Sequence, residues 1–253
     1  MEKRVAIVTG AGSGIGAAAA RLLAEHEHAV ALVGRRAEAL NAVADEISAA
    51  GGSAFPVVAD LADPRAPWEV VDAVTSEAGR LDLIVNNAAS FKLKLVPEFT
   101  AEEFDDHVAV NVRAPYFLVQ AALPALRASP SPAIVNVSSV AAAMFRPRQT
   151  VYGLTKAALE HLTLNLAAEL APDRIRVNCV RPGPVATSLH TRAVEDPEAR
   201  LAELGRMVPL GRLGAPEEIA RWIWHLADPE AAWVTGTIVT VDGGRVLGPP
   251  AAS

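Results

Sequence analysis

The sequence predicts an α/β fold, a doubly wound, seven-stranded parallel sheet with helices on both faces, forming a single domain over residues 1–253. Three observations predict it. Short β-branched runs alternate with longer alanine- and leucine-rich stretches from one end of the chain to the other, a rhythm that implies parallel strands joined by right-handed crossovers. The first strand-like run stops at a glycine-rich turn that opens into a helix, the layout that aims backbone N–H groups at phosphate. The polar residues that break the pattern fall where predicted strands end, the edge at which such sheets bind ligands.

Residues 4–9, RVAIVT, form the first strand, and GAGSGIGAAAARLLAEH the turn and first helix, with glycines at 10, 12, 14 and 16. The strand 29–34 (AVALVG) completes a β-α-β unit, followed by the helix RRAEALNAVADEISAA and the strand SAFPVVAD. Asp60 ends that strand, where its carboxylate would accept a hydrogen bond from an adenine amine or simply cap a turn. A helix over 66–78, the strand LDLIVNN at 81–87 and a loop AASFKLKLVPEF come next. A long helix is expected over 101–128, a strand at 133–139 (AIVNVSS), a helix at 151–170 and the strand RIRVNCV. A loop, a helix at 216–227 and the strand TIVTVD close the alternation. Within the long helix Pro115 has no N–H for the carbonyl of Asn111, leaving that oxygen free to hold water.

Composition excludes several classes. A net charge of -6 with scattered basic residues argues against a nucleic-acid or anionic-membrane partner. The apolar run before Thr9 is too short for a signal peptide, and no window approaches a membrane span. Cys179 is alone and the six histidines show no metal-ligand spacing, so no metal is expected and a reducing, cytoplasmic setting fits.

The chemistry concentrates between 138 and 156, SSVAAAMFRPRQTVYGLTK. Tyr152 and Lys156 are one helical turn apart on one face. A phenol with an ordinary pKa of about 10 becomes a better acid or base when a fixed cation lowers that value. A hydroxyl at Ser139 beside it would hydrogen-bond a substrate oxygen as charge develops there. The other tyrosine, Tyr116, has Gln120 at the same spacing and is read as core.

Together these residues resemble the short-chain dehydrogenase/reductase family over almost the whole chain. The motifs are TGAGSGIG (9–16, with Gly10, Ser13, Gly14, Ile15 and Gly16), Asp60-Leu61, Asn86-Asn87-Ala88, Asn111, Ser139, YGLTK (152–156), PGPVAT (182–187) and VDGG (241–244). The resemblance implies a Rossmann-type NAD(P)-binding domain in which Tyr152 is the acid/base, Lys156 tunes it and binds the nicotinamide ribose, and Ser139 orients the substrate oxygen. It also implies that Asn111 holds a relay water, and that Pro182, Val185 and Thr187 lie beside the nicotinamide, the last two on its carboxamide. Ala89 departs from the glycine usual after that Asn-Asn-Ala. A homo-tetramer is implied as well, with surplus apolar residues on helix 151–170 (Leu159, Leu162, Leu164, Leu166, Leu170) and on the last helix (Trp222, Ile223, Trp224, Leu226).

Cofactor choice is read from the end of the second strand, where a carboxylate would favour NAD(H). The chain instead has Gly34, then Arg35 and Arg36, whose guanidinium groups suit the extra phosphate of NADP(H). The substrate pocket is expected from Phe91, Leu93, Ala141, Met144, Phe145, Gln149 and a lid over 188–207, mostly apolar, suggesting a hydrophobic ketone or β-ketoacyl group. The nearest subtype, 3-oxoacyl-carrier-protein reductases, resembles this chain in its tail, but Asp173 stands where a carrier-docking arginine would, with Arg127 and Arg174 nearby. Two other readings stand beside the enzyme, a nucleotide-sensing regulator without turnover and an epimerase or dehydratase of the same superfamily.

Overall fold

The computed structural model describes residues 3–187 and 196–249. Its strands are β1 (Arg4–Thr9), β2 (His28–Gly34), β3 (Ser53–Val58), β4 (Leu83–Asn86), β5 (Ala133–Val137), β6 (Arg176–Pro182) and β7 (Ile238–Val241). They form one sheet in the order β3-β2-β1-β4-β5-β6-β7, every pairing parallel. The order reverses between β1 and β4, so a crevice opens there at the carboxyl edge. The predicted seven-stranded, doubly wound sheet is thus present.

The helices are α1 (Gly14–Glu25), α2 (Ala37–Ala49), α3 (Ala66–Ala78), α4 (Ala101–Val108), α5 (Ala114–Ala128), α6 (Thr150–Leu170), α7 (Pro197–Arg206) and α8 (Pro216–Ala227). Strand alternation sends Ala6 and Val8 to a core under α1, α2 and α8, and Val5 and Ile7 to one under α3, α5 and α6. Leu32 and Leu83 serve the first core and Ile84 and Ile134 the second, all fully buried. Each such side chain contributes about 1.5–3 kcal/mol by burial, so the two faces hold the sheet from both sides.

Three local expectations differ. The helix expected over 101–128 is interrupted by a π-helical turn, Ala109–Arg113, just before Pro115, whose missing N–H breaks the regular ladder. Within the segment expected as a lid, residues 188–195 lie outside the described residues, and 197–206 form α7, capped by the Asp196 side chain accepting from Ala199 N at 2.9 Å. Tyr116 is 43% exposed rather than core, because α5 turns Leu118, Val119 and Ala122 to the sheet.

A buried polar chain crosses the second face. Asn86 Nδ2 donates to Asn136 Oδ1 (2.9 Å), Asn136 Nδ2 to Thr163 Oγ1 (2.9 Å), and Thr163 Oγ1 to Leu159 O (2.9 Å). It ties β4, β5 and α6 in one register, since any slip leaves buried amides unpaired.

Candidate active site

The turn after β1 exposes backbone rather than side chains. Gly10 adopts a left-handed φ of +69°, and a Cβ on Gly16 would collide with the Gly10 carbonyl and stand 2.5 Å from Asn87 Nδ2. Asn87 fastens the turn, donating from Nδ2 to Thr9 O at 2.8 Å. The cavity over this turn, about 490 Å³, is lined by Gly10, Gly12, Ser13, Gly14, Ile15, Gly34, Arg35, Arg36, Asp60, Leu61 and Asn87. The first turn of α1 carries no acidic residue, and Arg35 and Arg36 stand exposed at the end of β2. A bare backbone floor, a helix N-terminus and a terminal pair of cations fit a phosphorylated dinucleotide.

Not every predicted residue faces this cleft. The Asn86 side chain is buried in the polar chain described above and lines no wall, and Gly16 serves the close approach to Gly10. Asp60 lines the cleft, although its Oδ1 accepts from Ala62 N at 3.0 Å, the turn role also foreseen.

A second cavity of about 110 Å³ continues from the first, and Ile15, Asn87, Ala89 and Thr187 belong to both. Ser139, Tyr152, Lys156, Pro182, Val185 and Phe91 complete much of it. Gly153 brings these groups together: a Cβ there would lie 2.6 Å from the carbonyl of Ala141, so α6 rests directly on the 3₁₀ turn Val140–Ala142 that Ser139 caps. Ser139 Oγ accepts from Ala141 N (3.2 Å), and its hydroxyl favours the ionised form of the Tyr152 phenol on the same wall. The Phe91 ring meets Tyr152 edge-on, with centroids 4.8 Å apart.

The electrostatics differ from the sequence expectation. Burial pushes the Tyr152 phenol up to about 12, opposed by its Ser139 hydrogen bond, instead of Lys156 drawing it down. Lys156 Nζ donates to Val137 O at 2.7 Å and sits 5.7 Å from the phenol ring centroid, engaged on the strand rather than on the hydroxyl. Its own pKa falls to about 8, from burial first, with Cys179 and Glu160 acting the other way. Glu160 accepts from Ser138 Oγ (2.7 Å) and from Arg181 Nε and Nη2 (2.7 and 2.6 Å), holding the base of the pocket.

Asn111 lies in the π turn, fully buried, and its side chain binds across elements. Oδ1 accepts from Ser90 N (2.7 Å) while Nδ2 donates to Ser90 O (3.0 Å) and Thr155 Oγ1 (2.9 Å); Thr155 Oγ1 in turn donates to Tyr152 O (2.8 Å). Asn111 therefore couples the loop after β4 to the turn of α6 that carries Tyr152.

Of the predicted pocket residues, Phe91 and Gln149 line the cavity; Leu93 and Phe145 are exposed, the latter 85%, and Ala141 and Met144 are not on the wall. The wall also holds a residue the sequence reading missed, Arg146. The only signal for it was a pair of cations, Arg146 and Arg148, directly after the apolar run AAAMF.

A switch-point cleft with a phosphate cradle, opening onto a pocket with a titratable phenol, defines a dinucleotide-dependent α/β oxidoreductase. Residues 10–245 match the family model described as enoyl-(acyl carrier protein) reductase. An uncharacterized oxidoreductase of Methylorubrum extorquens is 40% identical over 246 residues, covering 96% of this chain and 98% of the relative. The 3-oxoacyl-[acyl-carrier-protein] reductase of Thermotoga maritima is 36% identical over 247 residues, covering 98% and 99%. A short-chain dehydrogenase/reductase of Serratia marcescens superposes with a TM-score of 0.89 at 36% identity, covering 96% of this chain and 98% of that one. The chain belongs to the short-chain dehydrogenase/reductase family and is an oxidoreductase of the type that interconverts alcohols and carbonyl groups, a family that uses nicotinamide cofactors.

Proposed function

We propose that this protein, a single NAD(P)-binding domain over 1–253, is an NADP(H)-dependent reductase of a small ketone or 3-oxoacyl-type substrate, with Tyr152 as its acid/base. The observation that carries the reading is the convergence of Ser139, Tyr152 and Lys156 on the wall of a pocket continuous with the dinucleotide cleft. When bound, the nicotinamide supplies or accepts the hydride. Tyr152 gives its proton to the carbonyl oxygen, or takes it from the alcohol, while Ser139 holds that oxygen. Lys156, buried, cationic below about pH 8 and held by the Val137 carbonyl on the wall of the same pocket, would bind the nicotinamide ribose. Arg35 and Arg36 support NADP(H) over NAD(H), having no neighbouring acid at the end of β2 to repel a 2′-phosphate.

The same reading makes the protein cytoplasmic and a homo-tetramer. No described helix is long and apolar enough to cross a membrane. Leu154, Leu164, Tyr116 and Trp222 are each more than 40% exposed on α5, α6 and α8, apolar area that subunit contacts would cover; light scattering at micromolar concentration checks this. The central test is Tyr152→Phe, which keeps the ring and removes the transferable proton. Turnover should fall by several orders of magnitude with the fold and cofactor binding kept, and near-normal turnover would remove Tyr152 from the chemistry.

A further inference from the structure

Arg146 is a half-buried guanidinium on the wall that also carries Ser139, Gln149 and Tyr152. Three other arginines, Arg4, Arg176 and Arg181, are satisfied. Arg4 donates to Ser131 O at 2.8 Å, Arg176 to Leu226 O at 2.7 Å, and Arg181 holds Glu160 through two hydrogen bonds. Arg146 has no such acceptor: among the described residues no carboxylate or carbonyl takes a hydrogen bond from its side chain. Its charged neighbours are other cations, Arg245 in the 3₁₀ turn Arg245–Leu247 and Arg200 on α7. Among the described residues Arg245 Nε is buried without a hydrogen-bond partner, and Arg200 is paired with Glu203 at 2.7 Å. Burial first, then Arg245 and Arg200, lower the Arg146 pKa. The guanidinium on the pocket wall thus has no acceptor among the described residues, and the charges that act on it are of its own sign. A half-buried charge without a counter-ion is costly and persists where a ligand completes it.

We propose that Arg146 is an anion site on the wall of the catalytic pocket, and that the substrate is an oxo acid whose carboxylate docks there while its carbonyl faces Tyr152. This rests on the reductase reading above and narrows it. The site is separate from Arg35 and Arg36, which line the larger cavity with the glycine turn, so its anion is not the cofactor's terminal phosphate. A planar guanidinium suits a carboxylate by paired hydrogen bonds, and each charge-assisted bond is worth roughly tenfold in binding.

The test uses the whole protein with NADPH and compares acetoacetate with methyl acetoacetate, which has the same carbonyl and no charge. The acid should be favoured in kcat/KM by at least about thirtyfold, chiefly through KM, and Arg146→Ala should shrink that preference to within about threefold. Arg146→Lys should recover part of it. Calorimetry of the acid binding to the protein is run in parallel and needs no turnover. Binding of the acid that is lost in Arg146→Gln, a variant verified as folded by its melting curve, supports the site even if no ketone is reduced, in which case only the reductase reading fails. Equal kcat/KM for acid and ester, undiminished binding in Arg146→Gln, or no measurable binding of the acid would each overturn the site. Tighter binding of inorganic phosphate than of the acid would reassign the arginines to a phosphate and overturn the carboxylate assignment.

Discussion

Gly153→Ala tests how the catalytic groups are assembled. The added Cβ would stand 2.6 Å from the carbonyl of Ala141, where ordinary contact begins near 3.4 Å, so α6 and the Val140–Ala142 turn must part by about 0.8 Å. Backbone meets backbone here, and no side chain can swing aside. Overpacking of this kind costs about 1–3 kcal/mol of stability. The same displacement separates Ser139 from Tyr152, and misplacement of about 1 Å at a reacting centre can cost on the order of a hundredfold in rate. We expect kcat to fall tenfold to a hundredfold with cofactor affinity nearly unchanged, since the dinucleotide cleft does not include Gly153. Stopped-flow single turnover, with a denaturant melt on the same samples, separates the two effects. The control is Gly205→Ala in α7, whose new Cβ meets only ordinary contacts at 3.7 Å and beyond and should hold or raise stability. Wild-type kcat and stability in Gly153→Ala would refute the close-approach argument.

Three further outcomes are expected. NADPH should be preferred over NADH by at least roughly tenfold, about 1.4 kcal/mol, and Gly34→Asp with Arg35→Ala should shift the ratio of kcat/KM values toward NADH; parity in the unmodified protein removes the arginine reading. Lys156 titrates near 8 in the folded chain and near 10.4 when unfolded, so between those values the unfolded state binds the extra proton and the Lys156 contribution to stability rises with pH. The urea midpoint of the wild type relative to Lys156→Met should therefore climb from pH 8 to pH 10, and a constant difference would contradict the buried-ammonium assignment. Use of carrier-protein-linked substrates should be weak compared with small ketones, because Arg127 Nε is held by Asp173 at 2.8 Å and is not free to meet an acidic carrier; equal catalytic efficiencies on the two substrate forms would overturn this.

Much of the site was legible because its residues are tied by local spacing. The glycine turn announces its own backbone geometry, and Tyr152 and Lys156 share a helix face by counting alone. What escaped depends on contacts between distant segments. Whether Asn86 or Asn87 reaches the cleft turns on the parity of β4, and a strand ending at Asn86 sends that side chain to Asn136 instead. Arg146 lies in a connection without periodicity and becomes a pocket residue only once that connection folds beside Ser139 and Tyr152. The direction of the Tyr152 shift was misjudged because spacing tells how near Lys156 lies, whereas burial and the Val137 carbonyl decide what its ammonium does. The π turn at Ala109–Arg113 gave a partial signal in Pro115, enough to locate a broken ladder but not its form.

Ile15, Asn87, Ala89 and Thr187 form a party wall between the two cavities. A ligand seated in the larger one therefore touches residues that also bound the smaller one. Whatever effect it has on the affinity of the second ligand is returned by the same factor, since coupling between two sites is reciprocal.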